Sequence, residues 1–363
     1  MSPSQIHILG LGNLGKLLAH SLRRNHPELP ITLLFHRPSL AEEWNQAGQC
    51  IEIVRNTKAD KQNGFRTEMV SEKKDQIENL VVATKTHSTV QAIQPIRERL
   101  RPTSTLLFLQ NGIGTIDEAT KRLFPLPSSR PNYLAGIFNH GVYATSQFSS
   151  VHIGLASAFI GPAPSNYQGT VCKSSQPPAG FLAQKIVECP ELNASHVTHQ
   201  QLLHIQLQKL AVNAVINPLT SIFGCLNGEL FQSAAIRELI NRVVAEISAV
   251  ILVILSQQNE PLDHILQERF SQSNLKEVVC EIGEQTAQNI SSMRQDYLAG
   301  RKTEIDYING YIVKKGTDLG VQCPANAMIV ALVQNKRSIY EAQISDVFFG
   351  DSIMSSTMMG VGH

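Results

Sequence analysis

Strand, glycine loop and helix follow one another without a gap at the start of this chain, an order that few folds accommodate. Ile6-His7-Ile8-Leu9 is a short apolar run with the character of a buried strand. Gly10-Leu11-Gly12-Asn13-Leu14-Gly15 comes next, and then a helical run from Lys16 to Arg24. The glycine spacing has a physical reading: the first permits a tight turn, the second lets the backbone approach a pyrophosphate, and the third allows close packing of the helix. The start of the helix then points its unpaired N–H groups and its dipole at the anion. A bare glycine turn has the same spacing. The strand before it and the helix after it favour a dinucleotide site built from Gly10, Leu11, Gly12, Asn13, Leu14 and Gly15.

Further buried strands of a parallel sheet are expected at Ile31 to Phe35, Leu80 to Ala83 and Leu106 to Leu109. The polar stretch Arg55 to Asp75 between them reads as a hairpin or a surface excursion. The second strand ends in Phe35-His36-Arg37-Pro38-Ser39, where a site for NAD would place an Asp or Glu to accept from the ribose hydroxyls. Arg37 would instead pair its planar donor fork with a 2′-phosphate, which points to NADP(H); the alternative is a solvated loop arginine. From Tyr133 to Ile160 the pattern alternates as strands do, and the sheet is expected to finish there, before a loop or linker over Gly161 to Gly180. Helical patterns follow at His199 to Phe223, Ala234 to Gln257, Leu262 to Phe270, Leu275 to Leu298 and Ile305 to Leu319. The fold class expected is therefore α/β: an N-terminal Rossmann-type dinucleotide-binding domain over 1–195, an all-helical domain over 196–346, and a flexible tail over 347–363.

Composition narrows the function classes. Of 363 residues 42% are hydrophobic and 17% charged, enough to bury two cores and too apolar for a disordered chain. Thirty-one basic residues against thirty acidic ones leave a net charge of +1, so no global field steers the protein to nucleic acid or anionic lipid. The basic pairs Arg23-Arg24 and Lys73-Lys74 are too short to change that. The longest uninterrupted apolar run, Ala249 to Leu255, falls far short of the roughly twenty residues needed to cross a bilayer. Six scattered cysteines without a CxxC pair suit reduced thiols and a cytoplasmic location, and the N-terminus leaves no room for a signal segment.

Two polar clusters stand out in the helical half. Lys209, Asn213 and Asn217 lie four apart, on one face of a helix whose other residues are almost wholly apolar. Polar groups in such a segment need partners, which could be a structural network capped by Pro218 or a bound substrate. The second cluster runs through Ser291-Ser292-Met293-Arg294-Gln295-Asp296 and Arg301-Lys302-Thr303-Glu304-Ile305-Asp306-Tyr307-Ile308-Asn309-Gly310. Glu304 stands at the start of an expected amphipathic helix, so dipole capping competes with catalysis as its role. His196, His199 and His204 could share a helix face, but no nearby Cys or carboxylate completes a ligand set, and no metal is expected.

On these residues the chain resembles the ketopantoate reductase family, the NADP-dependent 2-dehydropantoate 2-reductases of pantothenate synthesis. The likeness runs from Ile6 to about Gln334 through GLGNLG, the VATKTHS segment with Lys85, LQNGIG at Leu109 to Gly114, KLAVNAVINPLT, RKTEIDYINGYIVKKG and Pro324-Ala325-Asn326. It implies Lys209 as general acid and Glu304 as partner of the substrate hydroxyl. Asn213 and Asn217 would orient the substrate, Ser292 would contact its end, and Asn111 would lie at the nicotinamide and the substrate. Arg37 and Lys85 would hold the 2′-phosphate of NADP(H). Two features depart from the family: Ser175 to Ser195 is long and weakly patterned, and the aromatic residue often found just before the lysine is absent. The resemblance implies a small 2-oxo acid as partner, neither nucleic acid nor membrane, and leaves a homodimer open. Related β-hydroxyacid and 6-phosphogluconate-type dehydrogenases, or a non-catalytic NADP-binding regulator, are the competing readings.

Overall fold

Alternation within each short strand decides the architecture. In a computed structural model, which describes residues 5–72, 75–163, 180–258 and 262–349, the first half contains β1 (Ile6–Leu9), α1 (Asn13–Asn25), β2 (Ile31–Phe35), α2 (Pro38–Gln46), β3 (Ile51–Arg55), β4 (Lys58–Gln62), β5 (Arg66–Met69), β6 (Asn79–Val82), α3 (Thr89–Ile93), β7 (Thr105–Phe108), α4 (Thr115–Leu123), β8 (Asn132–Phe138), β9 (Gly141–Ala144), β10 (Ser149–Gly154), β11 (Ala158–Pro162), α5 (Phe181–Val187) and β12 (Ala194–His196). The second half is helical: α6 (His199–Phe223), α7 (Ala234–Ser256), α8 (His264–Arg269), α9 (Gln272–Gln285), α10 (Ser292–Leu298), α11 (Asn309–Leu319) and α12 (Pro324–Gln334). The chain divides into two units, Met1–Gln206 and Leu207–His363, and the division falls inside α6.

In the first unit eight strands form one sheet in the order β12-β11-β8-β7-β6-β1-β2-β5, parallel except where β11 runs against β8. Ile6, Ile8, Leu33, Val81 and Leu107 pack on one face, and Leu9, Leu34, Leu80, Val82, Leu106 and Phe108 on the other. That is the two-residue period of a strand buried on both sides. The chain leaves β1 for β2 on one side and reaches β6 on the other, so the ends of β1 and β6 flank the point where the strand order reverses. In open α/β sheets this crevice is where ligands bind.

The polar stretch after Arg55 does two things. β3 and β4 form a hairpin in a second sheet, ordered β4-β3-β10-β9, and β5 then returns to the edge of the large sheet. The small sheet docks on α1 through a polar stripe. Asn13 Nδ2 donates to Val142 O at 2.9 Å, Lys16 Nζ to Ser146 O and Ser149 O at 3.0 Å each, and His20 Nε2 lies 3.0 Å from Asp60 O. Burial pushes the Lys16 ammonium down to about 8.

The structure corrects the sequence reading in four places. The large sheet does not finish at Ile160, because β12 pairs parallel with β11 beyond it. The helix expected over Leu275 to Leu298 is two helices: Ala287 O and Asn289 O are taken by the N–H groups of Gly228 and Asn227, and Ser291 caps α10 by accepting from Arg294 N at 3.2 Å. The helix expected from Ile305 begins at Asn309, after a 3-10 turn over Ile305–Tyr307. Helix α12, with Pro324 in its first turn, is absent from the expected elements. Most of the expected linker, residues 164–179, and most of the expected tail, residues 350–363, lie outside the described residues.

Helix α7 is long and apolar enough to span a bilayer by length and composition, with a mean hydropathy of 2.0 over eighteen residues. Within its unit it packs against α9, α11 and α12, with Leu239, Val243, Ile247 and Ile251 buried. A search for uninterrupted apolar runs overlooks it because Glu246 and Ser248 break the run.

Candidate active site

At the end of β1 the backbone excludes side chains. Gly10 has φ +96°, and a Cβ there would sit 2.7 Å from the Ala83 carbonyl carbon; one at Gly15 would sit 2.0 Å from Gly10 O. Gly12 differs, since a Cβ would meet nothing nearer than 3.9 Å. The first and third glycines are therefore required by the protein's own packing, and the second leaves an open approach to the start of α1. Its N-cap, Gly12, supplies no side-chain cap, which leaves the start of the helix suited to an anion. Leu11 is buried and Leu14 half-buried, both against the sheet core.

Three further segments meet the same edge. After β2, the exposed Arg37 donates from Nη1 to Ser39 Oγ at 2.9 Å and pairs through Nη2 with Glu43 at 3.0 Å. After β6, Lys85 is exposed, and its carbonyl is held by Ser88 N, Ser88 Oγ and Thr89 Oγ1 at 2.9–3.0 Å. After β7, Asn111 is half-buried and its carbonyl accepts from Thr86 Oγ1 at 3.3 Å, while Gln110 Nε2 donates to Val82 O and Thr84 O. The glycine loop, Arg37, Lys85 and Asn111 thus all follow the carboxyl ends of strands in one sheet, as a dinucleotide site requires.

The second unit holds the other residues. On α6, Lys209 and Asn213 are half-buried and Asn217 is 8% exposed, while Leu210, Ala211, Ala214 and Val215 are buried around them. Burial pushes the Lys209 ammonium down to about 8, and the Glu304 carboxylate works against that shift by favouring the cation. Glu304 is 6% exposed. It precedes the turn Ile305–Tyr307 and its side chain makes no capping bond to that turn, while its charge favours the Lys209 cation.

Ser292 is exposed at the first position of α10, while its neighbour Ser291 is buried. Ser291 Oγ lies 2.7 Å from Thr220 Oγ1 and 3.4 Å from Asn217 O, which ties α10 to the polar stripe of α6. Sequence reasoning names Ser291, Thr220, Asn309 and Asn326 only within longer segments, without a role for any of them, and does not single out Glu246. One signal is available: a proline inside a helix, Pro218, strips the residue four before it of its hydrogen-bond donor. Among the described residues no three His, Cys, Asp or Glu side chains gather into a metal-binding group.

An ammonium that titrates near 8 is mostly protonated at neutral pH and gives up its proton more readily than an ordinary lysine, which suits a general acid. Its charge, and the amides of the same helix face, suit a developing alkoxide.

Comparison with known proteins places the chain in a family. The family model described as ketopantoate reductase PanE/ApbA matches residues 6–165, and the one described as ketopantoate reductase PanE/ApbA C terminal matches residues 201–337. The 2-dehydropantoate 2-reductase of Saccharomyces cerevisiae is 30% identical, covering 90% of this chain and 92% of its own length. The ketoisovalerate reductase of Beauveria bassiana is also 30% identical, over 87% of this chain and 79% of its own. Among solved structures, a D-mandelate dehydrogenase with NADH and anilino(oxo)acetate has the same fold, with a TM-score of 0.73 at 22% identity over 94% of this chain and 99% of that one. The 2-dehydropantoate 2-reductase from Geobacter metallireducens superposes with a TM-score of 0.71 at 18% identity, over 91% and 99%. With both halves matched in order, the chain belongs to the ketopantoate reductase family of oxidoreductases.

Proposed function

We propose that this protein reduces ketopantoate to pantoate, the reductive step of pantothenate synthesis, with NADPH. The observation that carries the reading is Lys209 on the polar face of α6 with Asn213 and Asn217, its ammonium pushed down to about 8 by burial while the Glu304 carboxylate favours the charged form. The cofactor supplies the hydride for the carbonyl carbon of the 2-oxo acid. The cradle at Gly10 to Gly15 binds its pyrophosphate, Arg37 and Lys85 take the 2′-phosphate, and Asn111 orients the nicotinamide end. Lys209 donates its proton to the carbonyl oxygen as negative charge develops there. Asn213 and Asn217 hold the 2-oxo acid in line, Ser292 contacts its end, and Glu304 accepts from a substrate hydroxyl.

The test is NADPH absorbance with purified protein against ketopantoate, 2-oxoisovalerate and an aromatic 2-oxo acid. The likeness to the Beauveria bassiana enzyme favours 2-oxoisovalerate as the second reading. The two compounds differ in a hydroxymethyl group, and a site that bonds a hydroxyl discriminates strongly against an analogue that lacks it. Ketopantoate is expected to lead in kcat/KM by roughly 10² or more; equal values would remove the assignment of Glu304 to the hydroxyl.

Glu304→Gln supplies an independent check. Exchanging a charged hydrogen bond for a neutral one costs about 1.5–3 kcal/mol, so kcat/KM for ketopantoate should fall roughly ten- to a hundredfold. The loss for 2-oxoisovalerate should be smaller. Unchanged kinetics with a lowered melting temperature would make Glu304 a structural residue.

A further inference from the structure

Pro218 lies inside α6 and has no N–H, so the carbonyl of Ala214, four residues earlier, has lost its helical donor. Ala214 and Pro218 are both buried, and a buried carbonyl without a donor is costly. Asn309 supplies the donor: its Nδ2 lies 2.8 Å from Ala214 O. The second hydrogen of the same amide goes to Asn326 Oδ1 at 3.0 Å. Asn326 Nδ2 continues to Glu246 Oε2 at 2.7 Å and Val243 O at 3.4 Å. Glu246 in turn accepts from Ala325 N and Asn326 N at 2.8 and 2.9 Å, which caps α12. Asn309 is 0% exposed and its Oδ1 has no hydrogen-bond partner, so the amide is held by its donating end alone.

The two ends of this relay are significant. Ala214 follows Asn213 on the helix that carries Lys209. Asn309 begins α11, and the chain reaches it from Glu304 through the single turn Ile305–Tyr307. We propose that Asn309 is a positioning residue: through the carbonyl orphaned by Pro218 it sets the placement of the Glu304 segment against the helix of Lys209. This role deepens the function proposed above and rests on Lys209 and Glu304 acting as assigned there. A displacement of about 1 Å at a reacting group can cost 10²-fold in rate, so one such hydrogen bond matters to catalysis without touching substrate.

The experiment compares the wild-type full-length chain with Asn309→Ala, Pro218→Ala and the double variant. Asn309→Ala should lower kcat roughly 10²-fold, with the KM for NADPH unchanged. Pro218→Ala returns an N–H to the helix and satisfies the Ala214 carbonyl, so the double variant should regain stability while its rate stays low, because the tether from residue 309 is still missing. Titration of Lys209 by NMR of the isolated protein, its signal assigned by loss in Lys209→Ala, gives a readout that does not depend on turnover. In Asn309→Ala the lysine should titrate lower than in wild type, because the attraction of Glu304 is weakened. Wild-type kcat and titration with only a lower melting temperature would reduce Asn309 to a structural residue, and a double variant restored to the wild-type rate would trace the loss to the unsatisfied carbonyl and overturn the positioning role. If wild type turns over none of the 2-oxo acids, the function assigned above fails while the titration still decides Asn309. Should Asn309→Ala not fold, Asn326→Ser, which removes the Asn326 amide's bonds to Asn309, Glu246 and Val243 and leaves the bond to Ala214 in place, is read by the same titration with the same expected direction.

Discussion

Lys209→Ala should lower kcat for 2-oxo acid reduction by roughly 10² to 10⁴, the scale of a positioned general acid, with the KM for NADPH unchanged because the cofactor cradle belongs to the other unit. The pH dependence makes the assignment specific. Burial has brought the lysine from its ordinary value down to about 8, against the pull of Glu304. The acid form is the reactive one for reduction, so kcat should be level below about 8 and fall as pH rises through it. For the reverse oxidation the neutral amine is the reactive form, and the sign inverts. Lys209→Arg separates charge from proton transfer, since a guanidinium keeps its charge throughout this range. That variant should retain some activity and lose the alkaline limb. The measurement is a pH profile from about 6 to about 10 under saturating NADPH, wide enough to bracket the lysine's titration, with a thermal melt to show that each variant is folded. A limb near 8 that survives in Lys209→Arg would assign the titration to another group.

Arg37→Asp should reverse the preference between NADPH and NADH. In the structure Arg37 is held by Ser39 and Glu43, and its side chain is 45% exposed. An exposed ion pair of this kind is worth about 0–1 kcal/mol, whereas charge-assisted hydrogen bonds contribute about 1.5–3 kcal/mol. On these magnitudes a 2′-phosphate would outcompete Glu43 for the guanidinium if NADPH is the cofactor, as proposed. Removing the donor fork and adding a repelling carboxylate should change the ratio of kcat/KM values by roughly 10² to 10³. Equal kcat/KM with both cofactors in the wild type would withdraw the role of Arg37.

Much of this protein is written in neighbouring residues. The apolar runs of β1, β2, β6 and β7 and the glycine loop need only the two-residue period of a strand and the steric freedom of glycine. The polar stripe of α6 needs only the four-residue repeat of a helix. These features are legible because the groups that cause them lie within a few residues of one another. The tertiary structure alone decided the rest. β3 pairs with β10 from far along the chain, and β12 joins the large sheet after a segment with no strand signal. The helix expected through residues 286–291 breaks because N–H groups from Asn227 and Gly228 claim its carbonyls. Of two adjacent serines, Ser291 is buried because Thr220 lies beside it, and periodicity carries no information about that partner. Glu304 has the sequence position of a cap because helix dipoles are local, yet it makes no capping bond and its charge acts on Lys209, remote in sequence on α6. Asn309 is one more polar residue in the sequence, and only the carbonyl stranded by Pro218 beside it sets it apart. In each of these cases the residue that determines the role is remote in sequence, and folding brings the two together through the burial of apolar surface that neither of them contributes.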